Sequence, residues 1–552
     1  MWALIAVINI IGFIAALFVV AIILSAFAER LRVAYPVVLV VAGLCIGLIP
    51  GLPRVDLPPD AVLLFALPPL LYWESITAPE EEFARNKTWI LSLSVGLVLV
   101  TVAAVAVVAH AYLHLAWPVA LLLGALLGPT DELAVTPVAE RFQIPRHLIS
   151  DIEGEALFND ATSLVLYALA IAAIVTGSFH VTDALLSLVF SVLGGFAIGG
   201  LTALLLRFLW QIIRTPRLQM ALSLSAPFIA YLPAQYLRVS GVLAVVTAGL
   251  IINRFTPVVL VPQTRLRAYG FWETLVFGVN ATLFMVVGLQ LHSVVEHLSS
   301  TPWYVLGKYA VVIVATLIIA RTFYLFAHGT IAAVLERRKL RDAHWSHFAF
   351  SSWAGIRGAV SLAAALAIPT TVANGLFPHR ALLIYLAYVV VVFTLVFQGL
   401  TLPLLIRWLR IKDDGVDSKE QREAMQAAAA AALRRLGELT RDGSVAASLA
   451  VGLERRFAGR IQRYSEGPID EADGVDDAFV ESSEMRELER ELLRAERAEI
   501  IGMRNRGEID NVVLQRLTRM FDQESLSIDA IELIDQAALQ DHVQLHTDRN
   551  TS

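Results

Sequence analysis

The chain has 552 residues, of which 57% are hydrophobic and 17% charged, and its mean hydropathy is +0.66. That balance excludes a soluble protein of this size and indicates a polytopic membrane protein. The net charge of −6 comes with no basic block large enough to bind phosphates, which argues against nucleic acid as a partner, and the single Cys45 can form no internal disulfide.

Met1 leads almost directly into apolar sequence, without the basic flank and small-residue cleavage site of a secretory signal, so the first segment reads as a retained span. Apolar runs bounded by charges or Pro, most of them near the ~20 residues that cross a hydrocarbon core, predict thirteen spans. They lie at about 2–28, 36–50, 58–76, 88–113, 117–139, 149–176, 182–213, 218–236, 240–253, 271–296, 304–335, 345–369 and 381–410. The second and ninth are short. The third opens on Pro58 and Pro59 and contains Pro68 and Pro69.

The fifth span holds Gly128, Pro129, Thr130, Asp131 and Glu132 at its middle. Pro removes a backbone donor and clashes with the preceding turn, so the helix should break there. Opened backbone at that depth survives only inside protein or against water. The sixth span, IEGEALFNDATSLVLYALAIAA at 152–173, carries Glu155, Asn159 and Asp160 in its first half. An ionised carboxylate in the bilayer costs a few kcal/mol on insertion scales, so such groups face a partner or a wet cavity. Glu155 and Asn159 stand four apart on one face, with Asp160 beside Asn159. This polar face predicts a cation or proton site; the alternative is a structural ion pair between helices.

In the eleventh span Arg321 sits too deep to snorkel and requires a carboxylate, for which Glu155 and Glu74 are available. The twelfth span is interrupted at Gly355, Ile356, Arg357 and Gly358. Broken spans five and twelve lie seven helices apart in opposite membrane senses, the pattern of inverted-repeat transporters whose interrupted helices cross beside the substrate site. Helix ends at such a crossing expose partial charges. Asp131 can offset the positive ends and Arg357 the negative ones; Arg357 reads mainly as such a neutraliser, Asp131 as close to the ion as well.

With the first residue outside, inward loops carry Arg30, Arg32, Arg85, Lys87, Arg141, Arg146, Arg214, Arg217, Arg254, Arg265, Arg267, Arg337, Arg338, Lys339 and Arg341, against Arg54, Arg238 and Arg380 outside. This bias fixes the orientation and places the C-terminus in the cytoplasm. After Arg410 the sequence turns charged and Ala-rich, which predicts a separate soluble helical domain at 411–552 beside a membrane domain at 1–410. Amphipathic spacing at 485–493 and 512–521 predicts helices within it. With no metal cluster, phosphate-cradling loop or nucleophile elbow, it reads as a regulatory or assembly unit.

LPPLLYWE at 67–74, GPTDELAVTP at 128–137, EGEALFNDATSLVL at 153–166, FMVVGLQL at 284–291, the Ala-Arg at 320–321 and GIRGAVSLAAAL at 355–366 resemble, in order, the motifs of the cation:proton antiporter-1 family, the sodium/proton exchangers. The resemblance covers about 1–410. It implies an all-α fold of thirteen helices with inverted repeats, a dimerisation domain in a homodimer, and a mobile core domain with elevator-like movement in the cell membrane. It also implies that Asp160 binds the ion and the proton, that Asp131 and Thr130 contribute from the broken helix, that Asn159 organises the site, and that Glu155 pairs with Arg321. The family commonly has a small hydroxyl residue where Ala156 stands, and Pro where Glu132 stands.

Burial disfavours the charged form of a carboxylate, so a proton and sodium, or lithium, would compete for Asp160, with oxygens of Asp131, Thr130 and water completing the ligands. Exchange follows if the neutralised site can cross and the bare charge cannot. No cofactor is implied, and the reading is of a transporter, not an enzyme. Asn159 cannot ionise, so one proton per cation is expected. The alternatives are a potassium/proton antiporter of the same architecture, a cation channel, and, more remotely, an intramembrane protease using Asp131 and Asp160.

Overall fold

The computed structural model describes residues 2–31, 33–47, 49, 64–78, 87–176, 181–296, 298, 301–335, 345–372, 375–411, 416–466, 483–511 and 513–528. Arg32, Arg54, Pro58, Pro59, Arg85, Arg337, Arg338, Lys339, Arg341 and Val512 lie outside the described residues. The apolar runs fold as helices, the fifth and the twelfth in two pieces each: α1 Trp2–Leu31, α2 Tyr35–Gly47, α3 Leu67–Thr77, α4 Lys87–Leu113, α5 Trp117–Leu126, α6 Thr136–Arg141, α7 Arg146–Thr176, α8 Val181–Ile212, α9 Pro216–Tyr236, α10 Gly241–Val259, α11 Pro262–Glu296, α12 Trp303–Leu335, α13 Trp345–Trp353, α14 Ala359–Leu366 and α15 Arg380–Leu409. A two-residue hairpin, Thr371–Val372 with Gly375–Leu376, links α14 to α15. Six of these helices include stretches long and apolar enough to cross a membrane: Lys87–Leu113, Arg146–Thr176, Val189–Ile212, Gly241–Val259, Trp303–Ile331 and Arg380–Leu409. The chain is a mainly helical membrane protein.

Several boundaries differ from the sequence expectation for physical reasons. The ninth span runs to Val259 rather than 253, because Arg254 marks a polar edge and not the helix end. Pro257 is accommodated inside this last turn, and Arg265 Nη1 donates to the Pro257 carbonyl at 3.1 Å and to that of Leu260. The tenth starts at Pro262 rather than 271, since Pro is pre-organised for a first helical turn. Two helices also contain π turns that no sequence pattern announced. In α4 the turn spans Ser92–Leu97, where Tyr324 Oη donates to the Ser92 carbonyl at 2.8 Å and so opens the regular ladder. In α15 it spans Thr394–Gln398 and presents Thr394 Oγ1 to the backbone N–H of Arg357 at 3.1 Å.

The helices group by their contacts into two bundles. The first contains α1, α2, α3, α8, α9, α10 and α11; the second contains α4, α5, α7, α12, α13, α14 and α15. Close approach in the first bundle depends on glycine: a Cβ on Gly43 would stand 2.8 Å from the Gly288 Cα, so α2 and α11 meet backbone to backbone. Between the bundles, α7 touches α3 and α10, and α11 touches α14 and α15.

Beyond α15 the chain forms α16 Val416–Arg441, α17 Ala447–Glu466, α18 Ser483–Asn505 and a further helical stretch at 513–528. These pack through apolar clusters of their own. One gathers Met425, Leu493, Ile500, Leu514, Leu517 and Phe521; another gathers Leu436, Leu453, Phe457, Leu488 and Leu492. The helical stretches at 485–493 and 513–521 bury the stripes that their spacing predicted.

Candidate functional site

The chain leaves helical geometry between α5 and α6 and again between α13 and α14, and the two interruptions meet. The backbone N–H of Asp131 donates to the Ile356 carbonyl at 2.8 Å. Asp131 Oδ1 accepts from the Leu133 N–H at 2.8 Å, and Oδ2 from the Ala359 N–H at 3.3 Å. Ala359 opens α14, so this carboxylate sits on the positive end of that half-helix. Arg357 is buried and donates from Nη1 to the carbonyls of Gly128 and Pro129, the latter at 2.8 Å. These lie just beyond the end of α5, where helix carbonyls have no partner of their own. Gly358 is required here by space, because any Cβ would overlap the Asp131 carboxylate; a Cβ on Gly355 would meet the Arg321 guanidinium 2.5 Å from Nε.

A second set of contacts joins α7 to the same interruption. Thr130 donates its N–H to Asn159 Oδ1 at 3.3 Å and its hydroxyl to Glu155 Oε1 at 3.3 Å, while Asn159 Nδ2 donates to Thr130 Oγ1 at 2.5 Å. Glu155 is bound in turn by Arg321 through both oxygens, Nη2 to Oε2 being 2.8 Å. Arg321 also donates from Nε and Nη2 to the Ser351 carbonyl near the end of α13, at 2.9 and 2.8 Å. Glu155, Asn159 and Arg321 are all at least 95% buried. The spacing on α7 explains the division of labour: Glu155 and Asn159 share the face that meets the broken helix, and Asp160 is turned aside.

Asp160 is only 3% exposed, and its Oδ1 is buried without a hydrogen-bond partner among the described residues. It lines a cavity of about 20 Å³ with Thr130, Asp131 and Glu132, and from the other bundle Glu74 and Asn280. That volume suits one water-sized particle. Ala156 lines it too, with no oxygen to offer. Among the described residues no three His, Cys, Asp or Glu side chains are grouped to hold a metal ion by themselves; the cavity lining offers the Thr130 hydroxyl and the Asn280 amide beside its carboxylates. Along the same seam a larger cavity of about 370 Å³ lies beside Leu164, Tyr167 and Leu169 of α7 and Arg238 and Ser240 of the first bundle.

All the residues singled out in the sequence thus fall in one neighbourhood, divided between the crossing and the cavity. Glu74, offered there only as an alternative partner for Arg321, lies in the cavity instead. Asn280 was overlooked, although a lone amide inside VFGVNATLFMVV at 276–287 was a visible signal.

A family model described as the transmembrane part of sodium/hydrogen exchangers matches residues 14–408. The chain is 34% identical over 536 residues to an uncharacterized Na+/H+ exchanger of Mycobacterium tuberculosis, covering 95% of this chain and 96% of that one. It is 30% identical to the uncharacterized Na+/H+ exchanger YjcE of Escherichia coli, with 85% and 89% covered. Among solved structures, the sodium proton antiporter MjNhaP1 of Methanocaldococcus jannaschii at pH 8 superposes with a TM-score of 0.57 over 73% of this chain and 99% of that one, at 18% identity. At that identity the likeness is one of fold.

Proposed function

The chain belongs to the sodium/hydrogen exchanger family, a family of transporters and not of enzymes, and from that premise we propose that it exchanges sodium or lithium for protons, one for one. Cation/proton antiport is the activity of the family; the ion, the stoichiometry and the movement are our reading. In it the membrane domain at 1–410 has thirteen spans with inverted repeats, the N-terminus outside and the C-terminus in the cytoplasm, and works as a homodimer in the cell membrane. The second bundle slides past the first and carries Asp160 from one side to the other.

The observation that carries this reading is Asp160 itself, a buried carboxylate with an unpartnered oxygen that opens on a one-particle cavity at the seam between the bundles. Glu155 is bound by Arg321 and Asp131 by two backbone N–H groups, which leaves Asp160 to take a proton or a cation. Either neutralises it. A bare carboxylate would meet the full desolvation penalty on crossing, so the empty site stays where it is and the two fluxes are coupled. Thr130, Asp131 and Asn159 supply or position neighbouring oxygens, and no cofactor takes part.

The second reading is potassium/proton antiport, favoured by one observation: Ala156 removes an oxygen from a site that a small, strongly hydrated cation would want filled. Proton movement driven by gradients of sodium, lithium or potassium in proteoliposomes separates the two. Movement with potassium alone would replace sodium as substrate, and ion flux far above carrier turnover would replace the antiporter with a channel.

A further inference from the structure

The helices beyond α15 are attached to both bundles at one end of the molecule, and in different ways. On the first bundle the attachment is extensive. Arg265 donates from Nε and Nη2 to the two oxygens of Asp522 at 2.9 and 2.6 Å. Both side chains are at least 95% buried, and Arg497 reaches the same carboxylate at 2.6 Å. Asn511 and Gln515 donate to Asn253 Oδ1 at 3.1 and 3.3 Å, and Asn253 donates to the Ala78 carbonyl at 2.9 Å, just past the end of α3. Arg519 lies over the Tyr269 ring at 5.0 Å. On the second bundle the tail holds Arg146, whose Nη2 meets Asp510 Oδ2 at 3.2 Å.

Arg146 is the first residue of α7, the helix that carries Asp160 about 21 Å further along its axis. Asp510 and Asn511 are adjacent, so one bend of chain grips α7 of one bundle and α10 of the other. The seam between the bundles is therefore pinned at the tail end. Beside the far half of α7 it is hollow, where the larger cavity lies.

We propose that the C-terminal helical unit is a latch on transport: it is anchored to the first bundle through Arg265, Asn253 and Tyr269, and it restrains the second bundle through the Asp510 to Arg146 ion pair, which must open before α7 can slide. The inference rests on the reading of the second bundle as the moving part. The bidentate Arg265 to Asp522 contact is a strong, oriented bond with a second arginine on the same carboxylate, whereas Arg146 and Asp510 meet through one pair of atoms at 3.2 Å. Anchor and catch are thus matched to their tasks.

The test uses the full chain in proteoliposomes. Asp510→Asn should raise the initial rate of sodium-driven proton movement by about fivefold or more, fivefold being the rate equivalent of ~1 kcal/mol. The charge exchange Arg146→Asp with Asp510→Arg should bring the rate back toward that of the original protein, which separates loss of the pair from loss of a fold. Cysteines at 146 and 510, in a Cys45→Ser background, should allow a short reducible bis-methanethiosulfonate cross-linker to stop exchange, and a reductant should restore it. Full-speed exchange by the cross-linked protein, or an unchanged rate in Asp510→Asn, would overturn the latch while leaving antiport standing. Absence of any cation-driven proton movement in the unaltered chain would overturn both.

Discussion

The two bundles are made of similarly apolar helices, yet they bury different things. In the first the charged Glu74 and Arg265 sit at the seam cavity and at the tail contact, and other buried polar groups are neutral and locally satisfied: Trp272 Nε1 donates to Ser223 at 3.0 Å, Thr264 to Gln219 at 2.8 Å, and Ser75 to the Leu71 carbonyl at 2.5 Å. The second buries Glu155, Asp160, Arg321 and Arg357. Charge inside a low-dielectric interior is tolerated only with partners in place, and three of these four have them. The contrast shows where chemistry is possible: a bundle with a mostly neutral interior offers a surface to move against, and a bundle that buries charge, with an unpartnered carboxylate oxygen on Asp160, offers a site.

The sharpest way to break that contrast is at Asp160. Asp160→Asn keeps the shape of the side chain and removes its titration, so it should abolish cation-driven proton movement while expression and melting temperature hold. Persistent exchange would move the site elsewhere on the second bundle. The next largest effect concerns the partnered charges. Arg321→Leu or Glu155→Leu alone strands its partner and should destabilise the protein by ~3 to 5 kcal/mol, while the double replacement should recover much of that loss. Equal melting temperatures for the single and double variants would deny the pair its structural weight.

The tail offers a milder version of the same physics. Burial pushes the Glu496 carboxyl up to about 7, with Arg460 pulling it back from 3.6 Å. Because the folded tail favours the protonated form and the unfolded chain releases the proton near 4.5, stability falls as pH rises through that interval and the penalty is complete above 7, at about 3 kcal/mol or less. Glu496→Gln should flatten this dependence, read as amide exchange of 483–528 in the full chain at pH 6 and 8. A variant as pH-sensitive as the parent would exonerate Glu496. Smaller again is Gly43→Ala, which forces α2 from α11 against backbone on both sides and should cost ~1 to 3 kcal/mol. If the first bundle is a passive surface, this change lowers the melting temperature and leaves the apparent cation affinity alone; a shifted affinity would implicate the scaffold in the site.

Much of this was legible in the sequence because membrane helices advertise charge. Glu155, Asn159, Asp160 and Arg321 stand out from apolar surroundings, and Gly-Pro and Gly-x-x-Gly mark the interruptions. What sequence could not assign was pairing across the fold. Arg321 had two candidate carboxylates, and only the arrangement of α7, α12 and α3 places Glu155 beside it and Glu74 in the cavity. The π turns were hidden for a related reason: they arise where Tyr324 and Thr394 meet another helix, not from any local pattern. The grip of Asp510 on Arg146 joins residues 364 positions apart, beyond the reach of periodicity.

The smallest expected effect is the most informative about mechanism, because it is a null. Asn159 cannot ionise, Glu155 is bound by Arg321, and Asp131 accepts two backbone hydrogen bonds. Asp160 alone should then alternate between one proton and one cation. Net charge would not cross, and the membrane potential should not bias the equilibrium. Glu74 and Glu132 line the same cavity and are the groups that stand against this, since a second carboxylate that took a proton in step with Asp160 would make exchange electrogenic. They differ in position: in the movement we propose, Glu132 would travel with the second bundle, whereas Glu74 belongs to the first and would carry no proton across. The measurement is the final cation distribution in proteoliposomes at fixed pH gradient, with the potential clamped at zero and then made inside-negative by potassium and valinomycin. No difference is expected. If a difference appears and Glu132→Gln removes it, the second proton rides on Glu132; if it survives Glu132→Gln, the assignment of a single titrating carboxylate to the moving bundle is wrong.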